Sequence, residues 1–356
     1  MKIALLGCGR IAETHARLLQ KNVSGAEMFF CDRNREKAEN LAARFSSLSA
    51  AYTDFDALLQ NENPSAVHIL TQPASHFPLA TTALEAGAHA YIEKPVAESL
   101  AEFDSLQTLA AGKQRILYPG YSTLGYPVVS RARAIMASGK MGGLVSVHCD
   151  FNVAPPAGTI PYGYANHWAY FLDGGILHNV IDHPMSILAD ALADAELQDV
   201  SVLKRADLPQ ASPNLMHVSI RNEGQIGSFT LSYGNGNASA YVSYFLEAGT
   251  LRIDLRNFTV TSEFGSGPKS FPKRITTGLR TAIGLGIDTL GMAASRLGGR
   301  SAINPGIGPL IANFYAAIRN EEAPIVSHVT ARTTVRLLEG IWAKARRDDP
   351  KSIVAE

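Results

Sequence analysis

Cysteine is scarce in this 356-residue chain: only Cys8, Cys31 and Cys149. An odd, scattered set supplies neither a disulfide framework nor zinc-ligand spacing, and it suits a reducing compartment. A cytoplasmic protein without a metal site is the expectation. Charge is scarce too. Asp, Glu, Lys and Arg make up 18% of residues, against about 25% in an average soluble domain. The 32 basic and 32 acidic residues cancel, so no global field recruits nucleic acid. Long apolar runs are missing: no stretch reaches the roughly 18 uncharged apolar residues of a membrane span. Leu5-Leu6-Gly7-Cys8 imitates a lipoprotein cleavage site. The apolar run before it covers only residues 3–6, short of the about 7–15 of a signal sequence, and reads as a buried strand. Internal repeats and low-complexity segments are also lacking. What is abundant is apolar side chain, 46% of the total. That excludes global disorder and supports a sizeable core, in about two or three domains at this length.

The first 120 residues alternate continuous apolar runs (3–6, 28–31, 66–70, 90–92, 116–118) with amphipathic patterns (12–20, 35–45, 55–60, 78–86, 100–111). That grammar predicts βαβ units and a parallel sheet covered on both faces. After Tyr121 it changes. A helical stretch at 128–138 precedes two glycine pairs, Gly142-Gly143 and Gly174-Gly175. From 201 to 261, alternating strands are joined by Asn222-Glu223-Gly224-Gln225 and Gly234-Asn235-Gly236-Asn237, good hairpin chemistry. The expected organisation is an α/β Rossmann domain over 1–121 and an α+β domain over 122–356 with a mostly antiparallel sheet.

Gly7-Cys8-Gly9-Arg10-Ile11-Ala12 follows the first strand and opens the first helix. It has the form G-x-G-x-x-A, in which the glycines allow a tight turn and the helix N-terminus offers N–H groups to a pyrophosphate. Asp32 ends the next strand, 23 residues beyond Gly9, where a carboxylate accepts from an adenosine ribose and repels a 2′-phosphate. NAD is therefore the expected cofactor. Arg33 could accommodate the phosphate, which keeps NADP open. Thr71-Gln72-Pro73-Ala74-Ser75-His76 and Glu93-Lys94-Pro95-Val96 follow two further strands, at the carboxyl ends where open α/β sheets bind ligands. Lys94 reads either as placed for chemistry or as a surface lysine.

These motifs, with 83–95 (Ala-Leu-Glu-Ala-Gly-Ala-His-Ala-Tyr-Ile-Glu-Lys-Pro), resemble the Gfo/Idh/MocA oxidoreductases in order and spacing. The second half adds Gly139-Lys140-Met141-Gly142, His167-Trp168, Gly174-Gly175 and Gly249-Thr250-Leu251. The resemblance implies a large open sheet in the second domain, often used for homodimers or homotetramers. It also implies hydride transfer between a nicotinamide and a secondary alcohol or ketone of a sugar, polyol or nucleotide-sugar. Lys94 would hydrogen-bond the reacting oxygen, and Glu93 would lie near the nicotinamide ribose. Gly7, Gly9, Arg10, Ile11, Asp32, Arg33, Thr71, Pro73 and His76 would bind or border the cofactor. A cis Lys94–Pro95 peptide is common in relatives.

Relatives commonly carry G-G-x-x-x-D-x-G-x-H. Here the stretch from Gly174-Gly175 puts His183 in the histidine place, Asn179 where aspartate is usual and Ile181 where glycine is usual. Asn179 and His183 are four apart and share a helical face. Histidine suits proton transfer near neutral pH, or else serves packing or substrate binding. Asparagine takes no proton but orients a hydroxyl or His183. His178 and Asp182 lie off that face and read as supporting residues. Tyr121, His167 and Trp168 line a substrate pocket in one reading and pack a core in the other.

One segment falls outside the family pattern. Between Lys269 and Arg300 there are six basic residues and one acid, Asp288. Leu279, Ile283, Leu290, Ala293 and Leu297 recur at helical spacing. Three readings stay open: a helix docked by its apolar face on the domain or a partner subunit, a lid whose arginines meet a diphosphate, and a membrane-surface helix. For the whole chain, the alternative to an oxidoreductase is a non-catalytic NAD-binding regulatory or scaffold protein on the same fold.

Overall fold

The computed structural model describes residues 1–46, 50–154, 169, 172, 174–204, 213–234, 237–265, 271–297 and 304–348. Two compact units divide the chain: Met1–Gly125 with Gly306–Arg336, and Tyr126–Pro305 with Leu337–Glu356.

The first unit alternates β1 (Lys2–Leu6), α1 (Arg10–Asn22), β2 (Glu27–Cys31), α2 (Arg35–Phe45), β3 (Ala51–Tyr52), α3 (Phe55–Glu62), β4 (Ala66–Ile69), α4 (His76–Glu85), β5 (His89–Glu93), α5 (Leu100–Gly112) and β6 (Leu117–Gly120). The sheet order is β3-β2-β1-β4-β5-β6 and every pairing is parallel. The four residues of β4 are all buried, as a strand covered on both faces must be. Side chains start the helices. Asn34 accepts the Lys37 N–H for α2, Asp54 that of Ala57 for α3, and Ser99 that of Glu102 for α5; each satisfies an otherwise orphaned donor.

The second unit holds α6 (Pro127–Ala137), β7 (Leu144–Val153), α7 (Gly175–Val180), α8 (Asp182–Ala191), β8 (Glu196–Leu203), β9 (Leu215–Arg221), β10 (Ile226–Tyr233), β11 (Ser239–Leu246), β12 (Gly249–Asp254), β13 (Thr259–Phe264) and α9 (Phe271–Leu297). Its seven-stranded sheet runs β13-β12-β11-β7-β10-β9-β8. All pairs are antiparallel except β7 with β10. Val147, Cys149 and Phe151 of β7 are buried, while Ser146, His148, Asp150 and Asn152 alternate on the other side. His148 bonds Ser146 and Ser228 there. The Asn222–Gln225 hairpin forms as expected, with the Asn222 N–H donating to the Gln225 carbonyl at 3.1 Å.

Among the described residues, α10 (Ile307–Ile318) and α11 (His328–Asp348) follow. A cut at residue 121 assigns all of 306–336 to the second domain; the structure returns Gly306–Arg336 to the first. The reason is local packing. Tyr118 of β6 donates to Asn313 Oδ1 at 2.7 Å, Arg332 grips Asp104 through two 2.8 Å bonds, and a Cβ on Gly125 would sit 2.3 Å from the Gly306 carbonyl oxygen.

Gly249 sets the pairing of β12 with β13. A Cβ there would fall 2.0 Å from the Glu263 carbonyl oxygen, a backbone atom held in the ladder. Gly249→Ala should therefore cost at least about 1–3 kcal/mol in urea denaturation. Gly224→Ala, where a Cβ meets nothing within 4 Å, should stay within about 0.5 kcal/mol of the parent.

Candidate functional site

The carboxyl ends of β1, β2, β4 and β5 bring the predicted cofactor residues of the first unit together. Gly7 leaves β1 with φ +86° and its N–H bonded to the Cys31 carbonyl at 2.8 Å. A Cβ there would meet the Leu70 carbonyl oxygen and Thr71 Cγ2, both at 2.9 Å, so only glycine lets the segment after β4 close against this turn. Gly9 is the N-cap of α1 and has no side chain to satisfy the first-turn N–H groups. A Cβ on Gly9 would meet no protein atom within 4 Å, which leaves the positive end of a thirteen-residue helix approachable by a phosphate. Ala12 is fully buried, which explains the small third residue of the motif. Arg10 is exposed and Ile11 half-buried beside it.

Asp32 ties this turn to the end of β2. One carboxylate oxygen accepts the Cys8 N–H and the other the Asn34 N–H, each at 2.8 Å. A carboxylate has about four acceptor positions, so two N–H bonds fix its orientation and leave capacity for ribose hydroxyls. Arg33 beside it is exposed. These features fit a dinucleotide: a bare helix N-terminus, a glycine at closest approach and an oriented acidic acceptor.

At β4, Pro73 is buried and Thr71 half-buried. His76, also buried, stitches two loops. Its Nδ1 lies 2.7 Å from the Pro95 carbonyl oxygen and its Nε2 lies 3.1 Å from that of Thr71. Burial lowers its pKa, against the opposing pull of those carbonyls. Lys94 and Glu93 are half-buried at the end of β5, and the Lys94–Pro95 peptide is cis. Tyr121 lies just beyond β6 and is buried.

Behind Glu93 runs a buried polar chain that sequence reasoning missed. Burial lowers the pKa of His68 well below the ordinary value, helped by any charge on His15. The Tyr315 hydroxyl lies 2.9 Å from His68 Nε2, His68 Nδ1 lies 3.0 Å from His15 Nδ1, and His15 Nε2 lies 3.3 Å from a Glu93 oxygen. Tyr91 stacks on His68 at 4.9 Å. Burial pushes the Glu93 carboxyl up, but the bond from His15, the nearby charges and the Lys94 N–H outweigh it and hold the group below its usual range. Two signals were available. His15 falls on the buried stripe of α1 with Ala12, Ala16 and Leu19, and His68 interrupts an apolar strand.

In the second unit, Gly174 precedes α7 because nothing larger fits: a Cβ would lie 2.1 Å from the Trp342 ring. The same ring stacks on His178 at 4.7 Å, and Asp182 is buried, so both serve the interior. Ile181 keeps helical φ and ψ between α7 and α8. Asn179 and His183, both half-buried, therefore stay four apart on one helical path. His167 and Trp168 lie outside the described residues. Among the described residues, no group of three or more His, Cys, Asp or Glu side chains could hold a metal ion.

Comparison with known proteins agrees with this geometry. Residues 1–121 match the model of the family GFO_IDH_MocA, an oxidoreductase family with an NAD-binding Rossmann fold. A dTDP-3,4-didehydro-2,6-dideoxy-alpha-D-glucose 3-reductase from Streptomyces violaceoruber is 30% identical over 175 residues, 49% of each chain. A UDP-N-acetylglucosamine 3-dehydrogenase from Acidithiobacillus ferrooxidans is 31% identical over 133 residues, 37% of this chain and 41% of that one. The chain thus spans about half the length of the curated relatives it matches. Among solved structures, the WlbA dehydrogenase of Bordetella pertussis in complex with NADH and UDP-GlcNAcA has a TM-score of 0.79 at 17% identity. The match covers 98% of this chain and 96% of that one, and it shows that the fold is shared throughout.

The buried His68 and the half-buried His89 predict acid sensitivity. His68 is held neutral, and burial together with Arg115 lowers His89 to about 4 while its Nδ1 accepts the Ile116 N–H. Unfolded histidine takes up a proton near pH 6.5, so below that the unfolded chain binds more protons and stability falls with pH. The His89 contribution is present above about 6.5 and is lost as pH falls toward about 4. Thermal melts should show Tm falling from pH 7 to pH 5, before the carboxylates titrate.

Proposed function

We propose that this protein, whose residues 1–121 belong to the Gfo/Idh/MocA oxidoreductase family, transfers a hydride between NAD and a secondary alcohol or ketone of a sugar, polyol or nucleotide-sugar. The observation that carries the proposal is Glu93-Lys94-Pro95 at the end of β5, at the same carboxyl end of the parallel sheet as the glycine turn clamped by Asp32. The bound nicotinamide would supply the hydride acceptor or donor. Lys94 supplies positive charge to the oxygen that gains alkoxide character. The half-buried His183 accepts the hydroxyl proton, and Asn179, four residues earlier on the same helical face, orients the hydroxyl or the imidazole. His167 and Trp168 remain substrate-facing candidates on sequence grounds. Asp32 disfavours a 2′-phosphate, which makes NAD the preferred cofactor.

Two relatives act on nucleotide-linked sugars by name, which supports that substrate class. A non-catalytic regulatory role has no observation in its favour. The polar outer side of β7 and the exposed Ile226, Tyr241 and Phe245 support a homodimer or homotetramer through the sheet. Three buried free cysteines support a cytoplasmic setting. Among the described residues, no helix is long and apolar enough to cross a membrane.

The test is turnover by purified protein with NAD or NADP and a panel of sugars and nucleotide-sugars, followed by nicotinamide absorbance. With the substrate in hand, His183→Ala should lower turnover by about 10²–10⁴-fold while NAD still binds. Lys94→Ala should be at least as damaging. Full turnover by His183→Ala would remove histidine from the proton-transfer role, and silence across the panel with both cofactors would sink the reading.

A further inference from the structure

Helix α9 is built inside out. The residues whose side chains turn toward the rest of the second unit are Thr277, Thr281 and Asp288, all partly covered and spaced on one helical face. Asp288 anchors them: one carboxylate oxygen accepts from Arg131 at 2.5 Å and the other from the Val260 N–H at 2.9 Å. The opposite face carries Phe271, Ile275, Leu279, Ile283, Ile287 and Leu290, with exposures from 48% for Ile275 to 77% for Phe271. Of the readings the sequence left open, docking of the apolar face on this domain does not hold for Leu279, Ile283 and Leu290, which are exposed; the side chains of Ala293 and Leu297 lie outside the described residues, and the helix docks by its polar side.

A contiguous exposed apolar stripe of this length marks a surface that is covered in use. Charge selects the occupant. Lys273, Arg274, Arg280 and Arg296 lie on α9, and its only acid, Asp288, is spent on Arg131 and Val260. In a chain of zero net charge, the segment from Lys269 to Arg300 holds six basic residues and one acid. Pairing α9 with its copy about a two-fold axis would bring two such segments together. Docking it elsewhere on a second copy would be a head-to-tail contact, which closes only if the rotation permits. An anionic bilayer surface instead matches both properties at once: apolar side chains enter the headgroup–acyl boundary and lysines and arginines meet the lipid phosphates. The twenty residues from Phe271 to Leu290 would lie along about 30 Å of that surface.

We propose that α9 is an interfacial helix that seats the protein on membranes rich in anionic lipid. The test is co-sedimentation of the purified full chain with vesicles of phosphatidylcholine alone and of phosphatidylcholine mixed with phosphatidylglycerol. Binding should be confined to the anionic vesicles and should fall several-fold at about 1 M salt, where the Debye length is about 3 Å. Leu279→Gln with Ile283→Gln should lower partitioning at least about tenfold and leave the lipid-free Tm in place, because both side chains are exposed. Absence of binding to anionic vesicles overturns the proposal, as does binding that the double substitution leaves unchanged. If the substitutions instead reduce the oligomer mass in light scattering and no vesicle binding is seen, the face belongs to a second copy and the proposal falls.

Discussion

The carboxylate of Asp32 is the constraint on which the first unit's site depends. Its two oxygens take one backbone N–H from the glycine turn and one from the turn after β2. That fixes where α1 begins and which way its uncapped N-terminus points. The turn can lie there only because Gly7 yields its Cβ space to Leu70 and Thr71. From α1, the contact passes inward: His15 on its buried face reaches Glu93 on one side and His68 of β4 on the other, and Tyr315 of α10 closes the chain. Glu93, next to Lys94, is thus tied to a line of polar side chains rooted in the core. Each of these buried groups has a partner, which is what keeps such a network from being a liability.

The second unit solves a different problem. Its sheet packs Val147, Cys149 and Phe151 of β7 inward and presents serine, histidine, aspartate and asparagine outward. Trp342 of α11 presses on the backbone at Gly174 and stacks on His178. Those two contacts set the start of α7, which carries Asn179 and leads through Ile181 into α8 with His183. The glycine pair is therefore a packing requirement before it is a motif.

Much of this was legible in the residues. Continuous apolar strands alternating with amphipathic helices announced the parallel sheet, and the glycine turn with Asp32 announced its ligand end. The β7 strand is not legible in the sequence, because Asp150 and Asn152 are weak strand formers and the alternation shows only once Val147, Cys149 and Phe151 are known to be buried. Its parallel pairing with β10 joins strands far apart in the chain, which no local pattern encodes. The return of Gly306–Arg336 to the first unit rests on Asn313, Tyr315 and Arg332 finding partners some two hundred residues away. The orientation of α9 has a similar cause: helical spacing identifies the apolar face, but only the Asp288 contacts reveal which face is anchored.

The central claim is that an oriented Asp32 carboxylate makes the first unit a site for NAD. Calorimetric titration of NAD and NADP into the parent protein and into Asp32→Ala tests it most directly. A charge-assisted hydrogen bond contributes about 1.5–3 kcal/mol, so Asp32→Ala should weaken NAD at least about tenfold. The parent should bind NAD more tightly than NADP, and the substitution should narrow that gap. Equal or tighter binding of NADP by the parent, or NAD affinity untouched by Asp32→Ala, would contradict the account.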